Sequence, residues 1–102
     1  MKAPSNFIKI VNKKRYSTKT ATLIAGDNFW DGHNKERGGT NTFLYRTRKG
    51  AYFFVYLTQW VGAKDTLRPC TQEEAIAAYE GQLREHEVSY ELAFPGVVVA
   101  DA

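Results

Sequence analysis

The sequence predicts an α+β fold: a curled antiparallel sheet of three to five strands, with one or two C-terminal helices packed on one face. Two observations lead to this prediction. The stretch Asn41–Trp60 is rich in aromatic and β-branched residues around a central turn, a pattern typical of a β-hairpin. Helix signals begin only at Thr71, after the predicted strands. Strands followed by helices indicate a sheet whose helices are segregated to one side.

The length of 102 residues predicts a single domain, residues 1–102, with one hydrophobic core. Hydrophobic residues make up 43% and charged residues 25% of the chain, which is ordinary for a globular protein. The single cysteine, Cys70, excludes an internal disulfide framework and suits a reducing compartment. No apolar run approaches the ~20 residues of a membrane span, and the basic start lacks the apolar segment of a secretory signal. We therefore expect a cytoplasmic protein with no membrane partner.

Local patterns predict the remaining elements. Thr71-Gln72-Glu73-Glu74 is a capping box that opens a helix, and Gly81 is a natural helix stop. A short strand before the helix is expected at a sheet edge, because Pro69 can donate no ladder hydrogen bond. The predicted strands are Asn6–Val11, Tyr16–Ala25 and Thr66–Pro69, the predicted helices are Thr71–Gly81 and Glu87–Phe94, and Gly26–Gly39 is predicted as a long loop.

The turn of the hairpin decides which of its side chains share a face. Lys49 is a poor residue for the positive φ of a two-residue type I′ loop, whereas Gly50 suits the left-handed position that follows a type I turn. We therefore predict a three-residue loop, which places Arg46 opposite Tyr52 and Tyr45 opposite Phe53.

This register divides the hairpin into two faces. One row is predicted to face the core and the helices: Phe43, Tyr45, Phe53, Val55 and Leu57. The opposite row is aromatic and basic and is predicted to stay available to a partner: Leu44, Arg46, Tyr52, Phe54, Tyr56 and Thr58, with Arg48 and Lys49 at the tip and Trp60 at the far end. Trp30, in the loop before the hairpin, either anchors that loop or joins the binding surface. The competing interpretation is that a second layer simply covers these rings.

Charge is distributed unevenly along the chain. The net charge is +3, yet six cations precede the first acid, Asp27, and seven acids outweigh one arginine from Thr71 onward. This distribution predicts a molecule with basic strands and acidic helices. The run Lys13-Lys14-Arg15 is interpreted as a solvated turn, with contact to phosphates as the alternative.

No constellation of residues in the sequence predicts catalysis. Asp27, Asp31 and His33 are close in the chain, but their spacing matches no metal-ligand motif. Nothing pairs His33 or His86 with Cys70 as a catalytic dyad would require. We predict no catalytic residue, no metal site and no cofactor.

Three segments carry a resemblance to known proteins: Lys14–Ala21 (KRYSTKTA), Leu44–Phe53 (LYRTRKGAYF) and Thr71–Ala75 (TQEEA). Together they resemble a family of small uncharacterised proteins of bacteriophages, prophages and bacterial mobile elements. The resemblance implies no activity. It does imply the mode of action common among small phage proteins, which is to occupy a surface on a host enzyme or defence complex, including CRISPR effectors.

The leading hypothesis is a non-enzymatic phage or mobile-element binding module that engages a host or phage protein through the aromatic and basic face of the hairpin. The alternative is a binder of single-stranded nucleic acid or nucleotides, since such ligands are held by stacking aromatics and by cations along the phosphates. A third hypothesis is a homodimer that buries this face against itself.

Overall fold

The computed structural model describes residues 4, 6–27, 40–58 and 64–101 and has the predicted α+β architecture. The strands are β1 (Ile8–Val11), β2 (Lys14–Ser17), β3 (Thr22–Gly26), β4 (Thr40–Arg46), β5 (Tyr52–Thr58), β6 (Thr66–Cys70) and β7 (Glu85–His86), and the helices are α1 (Gln72–Glu80) and α2 (Tyr90–Ala93). Within the described ranges, no helix is long and apolar enough to cross a membrane.

The strands form two separate sheets. Five of them make an antiparallel sheet in the order β6-β5-β4-β3-β7, and β1 and β2 form a hairpin of their own. The predicted strand Tyr16–Ala25 is wrong as one element, because the chain turns after Ser17. At that point the amide of Phe7 donates to the hydroxyl of Thr18 at 2.8 Å, and the amide of Thr18 donates to the carbonyl of Phe7 at 2.9 Å. Most of the predicted loop Gly26–Gly39 lies outside the described residues.

The central hairpin has the predicted register. Arg46 pairs with Tyr52 and Tyr45 pairs with Phe53. The amide of Thr47 donates to the carbonyl of Ala51 at 2.8 Å, and Gly50 has a φ of +91°. The three-residue loop is therefore confirmed, since only the glycine of this loop takes a left-handed conformation.

Both predicted helices are present, and the second is shorter than expected. The capping box at the start of α1 is confirmed, because the amide of Glu74 donates to the Thr71 hydroxyl and the amide of Thr71 donates to the Glu74 carboxylate, each at 3.1 Å. α2 starts only at Tyr90, since the carbonyl of Ile24 accepts from the amides of Glu87 at 2.8 Å and Val88 at 3.4 Å. Ile24 lies at an irregularity of β3, which frees its carbonyl for these bonds.

Two apolar clusters lie on opposite faces of the five-stranded sheet. The predicted core row, with Phe43, Phe53 and Val55, packs against the β1–β2 hairpin through Tyr16 and Val11. The opposite row packs against the helices, and its cluster contains Leu44, Tyr52, Phe54, Ala75, Tyr79 and Phe94. The expectation that the helices cover the first row was therefore wrong. Alternation separates two rows of side chains, but it does not say which layer covers which row.

Tyr52 gives a direct test of this arrangement, because its hydroxyl donates to the carbonyl of Ala93 at 2.7 Å inside the helix-side cluster. Tyr52→Phe leaves that carbonyl without its partner, so we expect a loss of about 1–3 kcal/mol in the free energy of unfolding, measured by urea denaturation. Tyr56→Phe is the matched control, since the Tyr56 hydroxyl takes part only in an exposed contact, and its effect should stay within about 0.5 kcal/mol. Equal losses in the two variants would contradict the packing.

Candidate functional site

The aromatic residues predicted to bind a partner are mostly buried. Tyr52 is 4% exposed and Phe54 is 5% exposed, and Tyr52 packs on Phe94 with ring centroids 5.4 Å apart. The expectation that these rings face outward was wrong, because the helices cover them. Tyr56 is half-buried at the margin of the same cluster. Trp30 and Trp60 lie outside the described residues.

Arg68 covers the outer edge of this aromatic row. Its guanidinium lies 5.3 Å from the centre of the Phe54 ring, and its Nε donates to the Tyr56 hydroxyl at 3.4 Å. Its Nη1 also forms an ion pair with Glu74 at 3.2 Å. The bond from the Thr71 amide, followed by the bond from Arg68, lowers the pKa of the Glu74 carboxyl. These contacts belong to the fold and cover the Phe54 and Tyr56 end of the row where the structure describes it.

The dependence of thermal stability on pH below neutrality tests the contacts of the Glu74 carboxylate. A carboxyl whose pKa is lowered by folding stabilises the fold above its unfolded pKa, and that contribution is lost as the pH falls through the folded pKa. We therefore expect Glu74→Gln to lower the thermal midpoint at about pH 7 and to match the wild type at about pH 2, where the carboxyl is protonated. Glu73→Gln, one position earlier and exposed, is the control. A deficit of Glu74→Gln that persists at the acidic end would contradict this role.

The basic residues at the tip of the central hairpin remain accessible. Arg48 and Lys49 are exposed, and their turn is fixed because the amide of Ala51 donates to the hydroxyl of Thr47 at 3.0 Å. Arg46 is half-buried on the helix side, and its Nε has no hydrogen-bond partner. Of the predicted site residues that the structure describes, Arg48 and Lys49 are thus the two that are exposed.

A second basic turn lies beside the first. Asn12 and Lys13 join β1 to β2 with φ values of +51° and +66°, which are the positive angles that a two-residue type I′ hairpin loop requires. Tyr16 and Val11 point into the cluster under β4 and β5, and so the hairpin lies across the sheet. This packing brings the run Lys13–Arg15 to the tip of the central hairpin.

The two turns enclose a cleft of about 530 Å³. Its cationic lining consists of Lys13, Lys14, Arg15, Arg48 and Lys49, and the rest of the lining consists of Tyr16, Thr20, Thr47 and Ala51. No carboxylate is among these residues, and none in the described part of the chain forms an ion pair with the five cations. Like charges gathered at one concave surface repel each other and attract anions. The cleft is therefore suited to an acidic ligand.

Sequence reasoning found only half of this cleft. Arg48 and Lys49 were predicted as site residues, whereas Lys13, Lys14 and Arg15 were assigned to a solvated turn. The missing information is the packing of β1 and β2 over the sheet, which joins segments more than thirty residues apart in the chain. The position of Tyr16 between the polar residues Arg15 and Ser17 is a local signal that the hairpin has an inner face.

The residues considered for catalysis have structural roles where the structure describes them. Asp27 accepts from the amide of Thr42 at 2.6 Å, and His86 places Nε2 2.8 Å from the carbonyl of Tyr79 and stacks on the Tyr79 ring. Among the described residues, no group of His, Cys, Asp and Glu side chains is placed to hold a metal ion. Asp31 and His33 lie outside the described residues.

Comparison with known proteins gives no further guidance: no family model, curated protein or solved structure matches this chain.

The reactivity of Cys70 tests whether its thiol, in the edge strand β6, is buried and protonated. Burial raises the pKa of its thiol to about 12, so the reactive thiolate is scarce at about pH 8. We expect the native protein to react with a thiol reagent at least about 100-fold more slowly than the protein unfolded in urea, where the pKa returns to about 8.5. The release of chromophore from an aromatic disulfide reagent measures both rates. Equal rates would show that Cys70 is accessible and ionised in the folded protein.

Proposed function

We propose that this protein is a non-enzymatic binding module that takes an acidic macromolecular partner in the basic cleft. The observation that carries the proposal is the gathering of five cations around one concave surface with no carboxylate in its lining. A partner carboxylate or phosphate entering the cleft relieves the repulsion among these cations and gains charge-assisted hydrogen bonds from them. The cleft replaces the aromatic face of the hairpin as the proposed site, because the helices cover the rings of that face.

An acidic protein surface is the partner that the arrangement favours. A binder of single-stranded nucleic acid needs exposed rings on which bases stack. The rings of Tyr52 and Phe54 are buried, and Tyr16, the aromatic residue of the cleft lining, is also buried. The accessible groups of the cleft are cations and hydroxyls, which suit carboxylates and phosphates and supply no exposed aromatic ring for stacking.

The resemblance to small phage and mobile-element proteins gives this proposal a biological setting. In that setting the protein acts in the cytoplasm of the host cell, and its partner is an acidic surface of a host protein, for example a component of a CRISPR defence complex. Small phage proteins often act by occupying a surface of a host complex, and this mode of action requires an interface and no catalytic residue.

Single-stranded nucleic acid or a nucleotide remains the second candidate because phosphates suit the same cations. The cleft volume of about 530 Å³ lies within the range of small-molecule sites. Binding of this kind falls steeply with salt, since each neutralised phosphate releases a counterion. It should also depend little on base sequence, because contacts of cations with phosphates carry no sequence information directly.

Charge reversal at the tip of the central hairpin tests the proposal. We expect Arg48→Glu/Lys49→Glu to lower the affinity for a fluorescent polyglutamate peptide at least about tenfold, measured by anisotropy at low salt, because two cations of the cleft become anions. Lys64→Glu/Arg84→Glu is the matched control: both residues are exposed, neither lines the cleft, and the change in net charge is the same. Its affinity should fall much less.

Two further measurements separate the candidates. Protein partners captured from host lysate should bind the wild type and the control variant but not the cleft variant. An oligothymidylate of about 20 nucleotides should compete weakly with the peptide if the partner is a protein, and strongly if the partner is nucleic acid. Equal peptide affinities for the cleft variant and the control variant would overturn the cleft as the binding site.

A further inference from the structure

Among the described residues, the exposed large apolar side chains come from two parts of the chain. Ile8 and Ile10 in β1 are 55% and 63% exposed. Leu92 at α2 is 68% exposed, and Val98 and Val99 in the C-terminal segment are 90% and 70% exposed. Single exposed apolar residues are ordinary on a protein surface, whereas grouped ones mark surfaces that are covered by something else.

The first group lies on the outer face of the β1–β2 hairpin and carries a positive charge. Ile10 pairs directly with Arg15, and Ile8 pairs with Ser17, so these side chains share one face of the hairpin. Tyr16 and Val11 occupy its other face, against the sheet. We call the outer face, composed of Ile8, Ile10 and Arg15, the hairpin surface.

The second group lies in an acidic part of the chain. The segment from Glu85 to Asp101 contains four acids and no lysine or arginine, and Glu87, Glu91 and Asp101 are exposed. The exposed apolar side chains Leu92, Val98 and Val99 belong to this same segment. We call Glu91, Leu92, Val98 and Val99 the C-terminal surface.

The two surfaces lie on opposite sides of the five-stranded sheet. The β1–β2 hairpin covers the face that contains Phe53, whereas Ala93, Phe94 and Val97 pack on the face that contains Phe54. The sheet thus separates the hairpin surface, which carries a cation, from the C-terminal surface, which carries acids. One molecule cannot bring them together, but two copies can.

We infer that this protein associates with itself head to tail, with the hairpin surface of one copy on the C-terminal surface of the next. Burial of the apolar side chains favours association but does not set its orientation. The pairing of Arg15 with acids such as Glu91 favours contact between unlike surfaces. Contact between two hairpin surfaces, or between two C-terminal surfaces, would instead place like charges together. Such a contact is heterologous, so each copy keeps one free surface of each kind. It extends into a ring or an open chain.

This inference goes beyond the proposed function and can be tested separately. None of the five apolar residues Ile8, Ile10, Leu92, Val98 and Val99 lines the basic cleft. Variants at these apolar positions keep all five cleft cations, so the polyglutamate affinity reports on the cleft while sedimentation reports on self-association.

Complementary variants provide the decisive experiment. By sedimentation we expect the average mass of the wild type to rise above the 11.6 kDa of the monomer as the concentration approaches about 1 mM, and to fall back at high salt. Ile8→Ser/Ile10→Ser and Leu92→Ser/Val98→Ser/Val99→Ser should each stay monomeric. Mixed in equal amounts, they should form a 1:1 dimer and nothing larger, because each supplies the surface that the other lacks.

Each other outcome overturns the inference. A wild type that stays monomeric over this range has no such contact. Variants that both remain associated place the contact elsewhere. A loss in one variant alone, with no mixed dimer of the two variants, indicates a symmetric contact. Glu91→Lys guards against misfolding, since it alters only an exposed charge of the C-terminal surface, leaves all five cleft cations in place and should also weaken association, with the thermal midpoint as the check on folding.

Discussion

The structure depends on one constraint: strands β4 and β5 lie inside the sheet and carry apolar side chains on both faces. Each is hydrogen-bonded on both edges, and Phe53 and Val55 are buried on one side while Leu44 and Phe54 are buried on the other. A sheet with two apolar faces must be covered twice. The helices form one cover, and the small β1–β2 hairpin forms the other.

The second cover explains how the basic cleft forms. Tyr16 stacks edge-on against Phe53 with ring centroids 5.6 Å apart, and this contact holds the hairpin across the sheet. Cations are costly to bury in an apolar interior. They lie instead at the edge of the packed layers, where the two turns meet. The cleft is therefore a consequence of core packing. Its charge comes from two turns whose side chains are not part of the apolar core and can therefore be polar. A partner that neutralises it also stabilises the placement of the hairpin.

Particular residues show how far sequence reasoning reaches. Gly50 identified the turn, and the turn set the register of the hairpin, because only glycine takes that backbone angle without cost. The capping box at Thr71 located the start of α1 for an equally local reason. By contrast, β7 forms by pairing with Ala25 and Gly26, and the late start of α2 follows from bonds to the carbonyl of Ile24, so both depend on contact with a segment some sixty residues earlier in the chain. No local pattern contains that contact.

The sequence by itself determined the fold class, the strand pairing at the centre and the separation of the hairpin into two rows of side chains, because each of these follows from neighbours along the chain. Only the tertiary structure decided which layer covers which row. That choice buried Tyr52 and Phe54 under the helices and left Arg48 and Lys49 exposed beside Lys13, Lys14 and Arg15. Side-chain alternation is a property of the backbone, whereas burial depends on which distant segment packs against each face.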